Sequence, residues 1–198
     1  MPPFDMWEGF FDPDNILKAL GCGNVPGDVV EFGCGYGTFT IAAARRISNI
    51  VYTSDIDSSM VRATIDRAEQ AQVRNVVVEN RDFVSDGCGL PDSSASFVML
   101  FNILHIEDPV SLLREAHRVL HVGGSVGVIH WRRDIETPRG PSLEIRPQPS
   151  QCREWAEQAG LRWFSSTDLP NSPWHWGMIL GHRADGGRLV RSNVDRPR

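Results

Sequence analysis

At 198 residues, with 41% hydrophobic and 23% charged content, the chain has the size and balance of one ordinary globular domain with a full core. It holds no apolar run long enough to span a bilayer, and its start, MPPFDMWEGFF, lacks the basic-then-apolar pattern of a secretory signal. No membrane partner and a cytoplasmic location are therefore expected. The net charge of −5 disfavours a nucleic-acid partner.

The N-terminal stretch WEGFFDPDNILKALG reads as an amphipathic helical lead-in, with Pro13 and Asp14 suiting a helix start and Gly21 a stop. GDVVEFG is a short apolar strand, and TFTIAAARRI after the glycines is helical. NIVYTS, NVVVEN and SFVMLFNIL read as further strands, with the helix SSMVRATIDRAEQAQV after the second. DPVSLLREAHRVL is a helix whose Leu112, Leu113, Ala116, Val119 and Leu120 share one face. SVGVIHW is a fifth strand, entered through Gly123 and Gly124. Residues 132–149 hold four prolines and read as a loop or lid. SQCREWAEQAG is a helix, and LRWFSSTDL and WHWGMILGH are closing strands. The Gly- and Arg-rich tail from 183 to 198 is expected to be disordered. Strand and helix alternate, which predicts a single-domain, doubly wound, mostly parallel α/β sheet over residues 1–182, with residues 1–24 as a helical flap. Ligands in such sheets bind at the carboxyl ends of the strands.

The cysteines Cys22, Cys34, Cys88 and Cys152 include no C-x-x-C pair, so neither a disulfide framework nor a metal site is expected. Only one of the 20 basic residues, Lys18, is lysine. A Walker loop needs lysine after its last glycine, and Thr38 follows Gly37. A Schiff-base enzyme needs a lysine in its pocket, and Lys18 in the N-terminal helical segment fits poorly.

The glycine loop itself, VVEFGCGYGTFT, spaces Gly33, Gly35 and Gly37 as G-x-G-x-G, where a dinucleotide fingerprint would be G-x-G-x-x-G. Glu31, two residues before Gly33, would sit badly against a pyrophosphate and suits a cofactor with a cationic group. S-adenosylmethionine carries an amino group and a sulfonium and has no phosphate. Asp55 lies 22 residues after Gly33 at the end of the second strand, placed to accept from ribose hydroxyls. Asp57 reads as the cap of the next helix. Asp82 and Phe83 follow the third strand, as an acceptor and a ring for an adenine.

Taken in order, EFGCGYG, TSDID, NRDF, SFVMLFNILHIED and RVLHVGGSVGVIHW resemble the motifs of class I S-adenosylmethionine-dependent methyltransferases, closest to the small-molecule branch, over roughly residues 25–131. The resemblance implies a Rossmann-like fold, S-adenosylmethionine as cofactor and methyl transfer to a small-molecule acceptor. It implies that Glu31, Gly33, Cys34, Gly35 and Gly37 line the methionine moiety and that Asp55 binds the ribose with Ile56 on the adenine. Asp82 and Phe83 would hold the adenine, and Asn102 would close the pocket. The chain departs from the family pattern at Ser96, where an acid is common, and at His121–Val122, where lysine–proline is common.

The cofactor's sulfonium makes its methyl electrophilic, so the protein must align a nucleophile, exclude water and, for a hydroxyl or ammonium acceptor, take a proton. His105 and His130, at strand carboxyl ends, are the candidates for that base, each against a purely structural role. His117 and His121 are expected to be structural or solvated. Trp7, Phe10 and Phe11 form an acceptor flap or a packed aromatic face. Tyr36 is placed to face the acceptor. Arg132, Arg133, Arg139 and Arg146 either meet an acidic acceptor or solvate a loop. Trp174, His175 and Trp176 fit core packing better than a pocket wall. A nucleic-acid methyltransferase would carry (Asp/Asn)-Pro-Pro-aromatic after the fourth strand, where FNILH stands. A pyridine-nucleotide oxidoreductase conflicts with the third glycine and Glu31. A non-catalytic S-adenosylmethionine-binding protein is the remaining alternative.

Overall fold

The computed structural model describes residues 3–23 and 25–182, so the expected tail from 183 to 198 lies outside the described residues. Two short helices, α1 (Phe4–Glu8) and α2 (Pro13–Ala19), precede the sheet. Strand β1 (Asp28–Phe32) runs through the glycine loop into α3 (Thr38–Arg46), β2 (Val51–Asp55) into α4 (Ser58–Gln70), and β3 (Val76–Asn80) into the short α5 (Phe83–Asp86). Then β4 (Ala95–Phe101) leads to α6 (Pro109–Val119), and β5 (Leu120–Trp131) to a long loop and α7 (Pro149–Gln158). The strands β6 (Leu161–Thr167) and β7 (His175–His182) close the sheet.

The sheet order is β3-β2-β1-β4-β5-β7-β6. The first five strands pair in parallel, and β7 inserts antiparallel between β5 and β6. The chain winds outward one way from β1 and then the other way from β4, so the crevice at their adjacent carboxyl ends is the topological switch point where open α/β sheets bind ligands.

Burial explains why these strands read as apolar runs. All seven residues of β4 are buried, because it lies centrally with helices over both faces. On one face Val29, Phe97, Met99, Ile129 and Trp131 pack with α2, α3 and the N-terminal aromatics. On the other, Val30, Phe32, Val98, Leu100 and Val128 meet Leu112, Leu113 and Ala116 of α6 and Cys152 and Ala156 of α7. The period-2 alternation of side chains sorts the two sets.

Two elements differ from expectation. The N-terminal lead-in is two helices, because Asp12 caps α2 by accepting from the Asn15 amide at 3.3 Å and Pro13 takes the first helical position, ending continuity with α1. Strand β5 begins at Leu120, so the glycine pair lies within it and His121 is in a strand. A Cβ on Gly124 would come 2.8 Å from the Ser96 carbonyl oxygen, so a side chain there would force β4 and β5 apart.

Asn75, just before β3, ties the crossover together. Its Nδ2 lies 3.0 Å from the Ala44 carbonyl oxygen, 3.1 Å from that of Ile47 and 2.9 Å from that of Asn49, which serves carbonyls at the open end of α3. Asn75→Ala strands these partly buried acceptors and is expected to lower stability by about 1–3 kcal/mol, read from urea unfolding midpoints.

Candidate active site

The glycine loop emerges from β1 at the switch point. Its amides are spent on the protein: Gly33 and Cys34 donate to the Ser54 carbonyl at 2.9 and 3.1 Å, Gly35 to Asp55 Oδ2 at 3.0 Å, and Gly37 to the Cys34 carbonyl at 2.8 Å. A phosphate cradle needs such N–H groups free. Gly37 has φ +74, and a Cβ there would lie 3.1 Å from the Thr64 side chain, so α4 closes on the loop only because this residue is glycine. Cys34 is buried, and burial pushes its thiol up to about 12, which leaves it unreactive.

Glu31 lies beneath the loop. Its carboxylate accepts from the hydroxyls of Thr40 on α3 and Thr53 on β2, the latter at 3.2 Å. Burial pushes its pKa up to about 8, against those two hydrogen bonds and with a further push from Asp55. An acid in this state is poised to ionise when a cationic group arrives.

Asp55 holds its carboxylate at the end of β2 with the Gly35 amide on one oxygen and the Asp57 amide, at 3.0 Å, on the other. Ile56 beside it is 67% exposed, an apolar side chain with a free face. Asp82 caps α5, accepting from Val84 N at 3.0 Å and Ser85 N at 3.4 Å. Phe83 sits differently from a ring open to a base. It is turned into the core, edge-on to Phe32 at 5.4 Å, with Cζ 4.0 Å from where a Gly33 Cβ would stand. It floors the glycine loop.

Asn102 follows β4 with φ +55, in the left-handed region. Both polar atoms of its side chain are buried with no partner among the described residues. Its side-chain amide, unpartnered at the switch point, is available to a ligand. Asn102 also lines a cavity of about 460 Å³, together with Trp7, His105, Trp131, Arg139, Gly140 and Pro141. Its neighbour Ile103 packs 3.7 Å from the Gly33 Cβ position, so this cavity adjoins the loop. The exposed face of Ile56, the Asp55 carboxylate, the buried acid at Glu31 and the orphaned Asn102 amide fit a cofactor bearing an adenosine and an amino group and lacking phosphate.

His105 and His130 meet, with His105 Nδ1 3.2 Å from His130 Nε2. Burial holds the His105 pKa below its ordinary 6.5. Burial, then the charges of His105, His175 and Arg146, push His130 down to about 3, so His130 is neutral at any working pH. His175 is buried between Trp131 and Phe11, at ring distances of 4.1 and 4.7 Å. His117 packs on His182, and His121 bonds Ser96 Oγ at 2.8 Å near the opposite edge of the sheet.

Two segments cover the site. Helix α1 is pinned over the loop by Glu8, which pairs with Arg67 at 2.6 Å and accepts from Thr38, while the Phe4 ring meets Tyr36 at 5.5 Å. Phe10 and Phe11 are buried behind it, and only Trp7 of that aromatic group reaches the cavity. The 132–149 loop folds down around Arg146, which is only 5% exposed and donates to the carbonyls of Pro141 at 2.8 Å, Arg132 at 2.7 Å and Arg139 at 3.2 Å. Arg132 pairs with Asp134. Of the loop arginines, only Arg139 lines the cavity. The structural work of Arg146 and Glu8 had no distinguishing signal in a chain this rich in arginine and acid.

Residues 29–124 match the family model of the methyltransferase domain. The chain is 26% identical over 183 residues to the ubiquinone biosynthesis O-methyltransferase of Pseudomonas aeruginosa strain UCBPP-PA14, covering 83% of this chain and 77% of that protein. Its fold is similar to a SAM-dependent methyltransferase from Aquifex aeolicus, with TM-score 0.76 and 22% identity over 87% of this chain and 90% of that one. It is similar as well to the [4+2]-cyclase SpnF, with TM-score 0.70 and 18% identity over 86% and 80%. A scaffold shared with a cyclase leaves the reaction to be argued from the site.

The raised pKa of Glu31 has a pH signature. Between about pH 4.5 and 8 the folded chain keeps a proton that the unfolded chain has lost, so its contribution to stability falls as pH rises through that window. Glu31→Gln cannot ionise and removes the slope. Without cofactor its melting midpoint is expected to approach wild type near pH 4.5 and to exceed it by a margin that widens to several degrees near pH 8; scanning fluorimetry across that range checks it.

Proposed function

We propose that the chain, whose residues 29–124 match a methyltransferase domain, transfers the methyl group of S-adenosylmethionine to a small-molecule acceptor, that the accepting atom is a hydroxyl oxygen on an aromatic ring, and that His105 takes its proton. The observation that carries this reading is the His105 ring on the wall of the 460 Å³ cavity, held neutral by burial and therefore able to act as a base near neutral pH. Trp7 and Trp131 are flat apolar walls suited to an aromatic ring, and Arg139 is a cation at the rim that favours the phenolate. A ubiquinone biosynthesis O-methyltransferase among the similar proteins supports an oxygen acceptor.

Bound S-adenosylmethionine supplies an electrophilic methyl carbon on a sulfonium. The chain's own residues do the rest. Asp55 holds the ribose, Ile56 the adenine face, and Glu31 ionises toward the amino group from below the loop. Asn102 places its side-chain amide, unpartnered in the protein, at the junction of cofactor and acceptor. His105 would accept the hydroxyl proton of the acceptor, whose oxygen would take the methyl group from the bound cofactor, the cofactor leaving as the neutral thioether. Helix α1 and the 132–149 loop, read as flap and lid of one domain over residues 1–182, exclude water.

With labelled S-adenosylmethionine and a panel of phenols, catechols and amines, label is expected on the oxygen acceptors; transfer to amines alone would overturn the reading. His105→Ala is expected to lower kcat by about 10²–10⁴-fold while calorimetric affinity for S-adenosylhomocysteine stays unchanged. Because its pKa lies below 6.5, the acid limb of the wild-type rate profile should fall below pH 6.5. Asp55→Ala is expected to weaken S-adenosylhomocysteine binding about 10- to 100-fold, measured by the same titration.

A further inference from the structure

A histidine base needs more than a neutral ring. It must carry its one proton on the nitrogen facing away from the substrate. Free imidazole side chains do not secure this by themselves, and which nitrogen is protonated is set by what the other one touches. The hydrogen-bond chain behind His105 determines it.

The chain starts at a backbone carbonyl. His130 Nδ1 lies 3.4 Å from the Trp131 carbonyl oxygen, which can only accept. With its proton on Nδ1, the His130 ring donates to that oxygen; in the other tautomer, two lone pairs would face each other in a buried site. A neutral His130 that is protonated on Nδ1 carries a lone pair on Nε2. That nitrogen faces His105 Nδ1 at 3.2 Å, so His105 must be the donor, with its proton on Nδ1. His105 Nε2 is then left with a lone pair, and among the described residues no protein group bonds to it, on a side chain that lines the acceptor cavity.

His130 is also well placed to hold this state. It is fully buried, stacks on Trp176 at 6.1 Å between ring centroids, and sits on β5 opposite Trp176 in the antiparallel pairing with β7. The charged and titratable groups around it, His105, His175 and Arg146, all act against a second proton. It does not line the cavity that holds His105.

We infer that His130 is a positioning residue that fixes His105 in its Nδ1–H tautomer and so presents Nε2 as the proton acceptor to the substrate. This rests on the assignment of His105 as the base for a hydroxyl acceptor. No net proton moves along the pair during turnover: His105 Nε2 gains the substrate proton, and the His105–His130 hydrogen bond keeps its direction while the new imidazolium is stabilised through it.

The test separates the tautomer from the chemistry. Nitrogen-15 NMR of ring-labelled wild-type protein is expected to show His105 neutral with the proton on Nδ1; a proton on Nε2 overturns the inference at once, whatever the enzyme methylates. His130→Leu removes the acceptor while filling the space, and is expected to shift His105 toward the Nε2–H form and to lower kcat about 10- to 100-fold with KM nearly unchanged. His130→Gln restores an oxygen near the Nε2 position and should recover most of kcat and the Nδ1–H signal. If Leu and Gln variants that melt like wild type are equally active, His130 is only packing. A wild-type Nδ1–H signal together with a fully active His105→Ala would instead leave the tautomer intact and sink the base assignment.

Discussion

A sheet covered by helices on both faces has nowhere to place solvated chemistry except its edges, and here the parallel winding reserves the carboxyl edge for it. The seven residues of β4 are all buried, and its neighbours β1 and the second half of β5 are nearly so. Polar groups along these strands would be left without partners, so they gather where the strands end. Glu31, Asn102 and His130 are the polar residues at the ends of three adjacent strands, with His105 just beyond β4. The reversal of winding between β1 and β4 opens the gap between the first two, and the rest of the site is arranged around that gap.

Within the gap, what the loop can offer a ligand is limited by where hydrogen bonds have already been spent. The glycine loop gives the amides of Gly33, Cys34, Gly35 and Gly37 to protein acceptors, so it is a shaped backbone that a ligand can approach closely, with little left to hold a phosphate. What remains available is a carboxylate at Asp55, a buried acid beneath the loop at Glu31, an exposed apolar side chain at Ile56 and an unpartnered amide at Asn102. These are the complements of a ribose, an amino group, a base and a polar atom at the junction.

The cover of the site is held by charge used structurally. Arg146 binds three carbonyls and lies over Trp131 at 5.8 Å, which turns a proline-rich loop into a fixed wall. Gly140 presses against the same indole, since a Cβ there would lie 2.9 Å from its Cδ2. Glu8 does the corresponding work for α1 through Arg67 and Thr38. The 460 Å³ cavity is bounded by the two covers, with Trp7 on α1 and Trp131 at the end of β5 as its aromatic walls and His105 lining it as well.

The strands, the helices between them and the glycine spacing are legible in the sequence because each depends on local pattern: apolar runs for strands buried on both faces, a single helical face in Leu112–Val119, glycine where φ is positive. Asp55 and Asn102 are legible for the same reason, since they stand at a fixed place relative to a strand end. Other features are set by side chains distant in sequence. The direction of the Phe83 ring depends on Phe32, and burial of Arg146 depends on how the loop folds back on Trp131. The pairing of His105 with His130, 25 residues apart, arises because β4 and β5 lie side by side in parallel. The sequence by itself determined the doubly wound sheet and the phosphate-free character of its cofactor loop, because backbone conformation and burial period are local properties. Only the tertiary structure decided which histidine faces the cavity and which stands behind it, because that depends on the contacts between strands that no local pattern encodes.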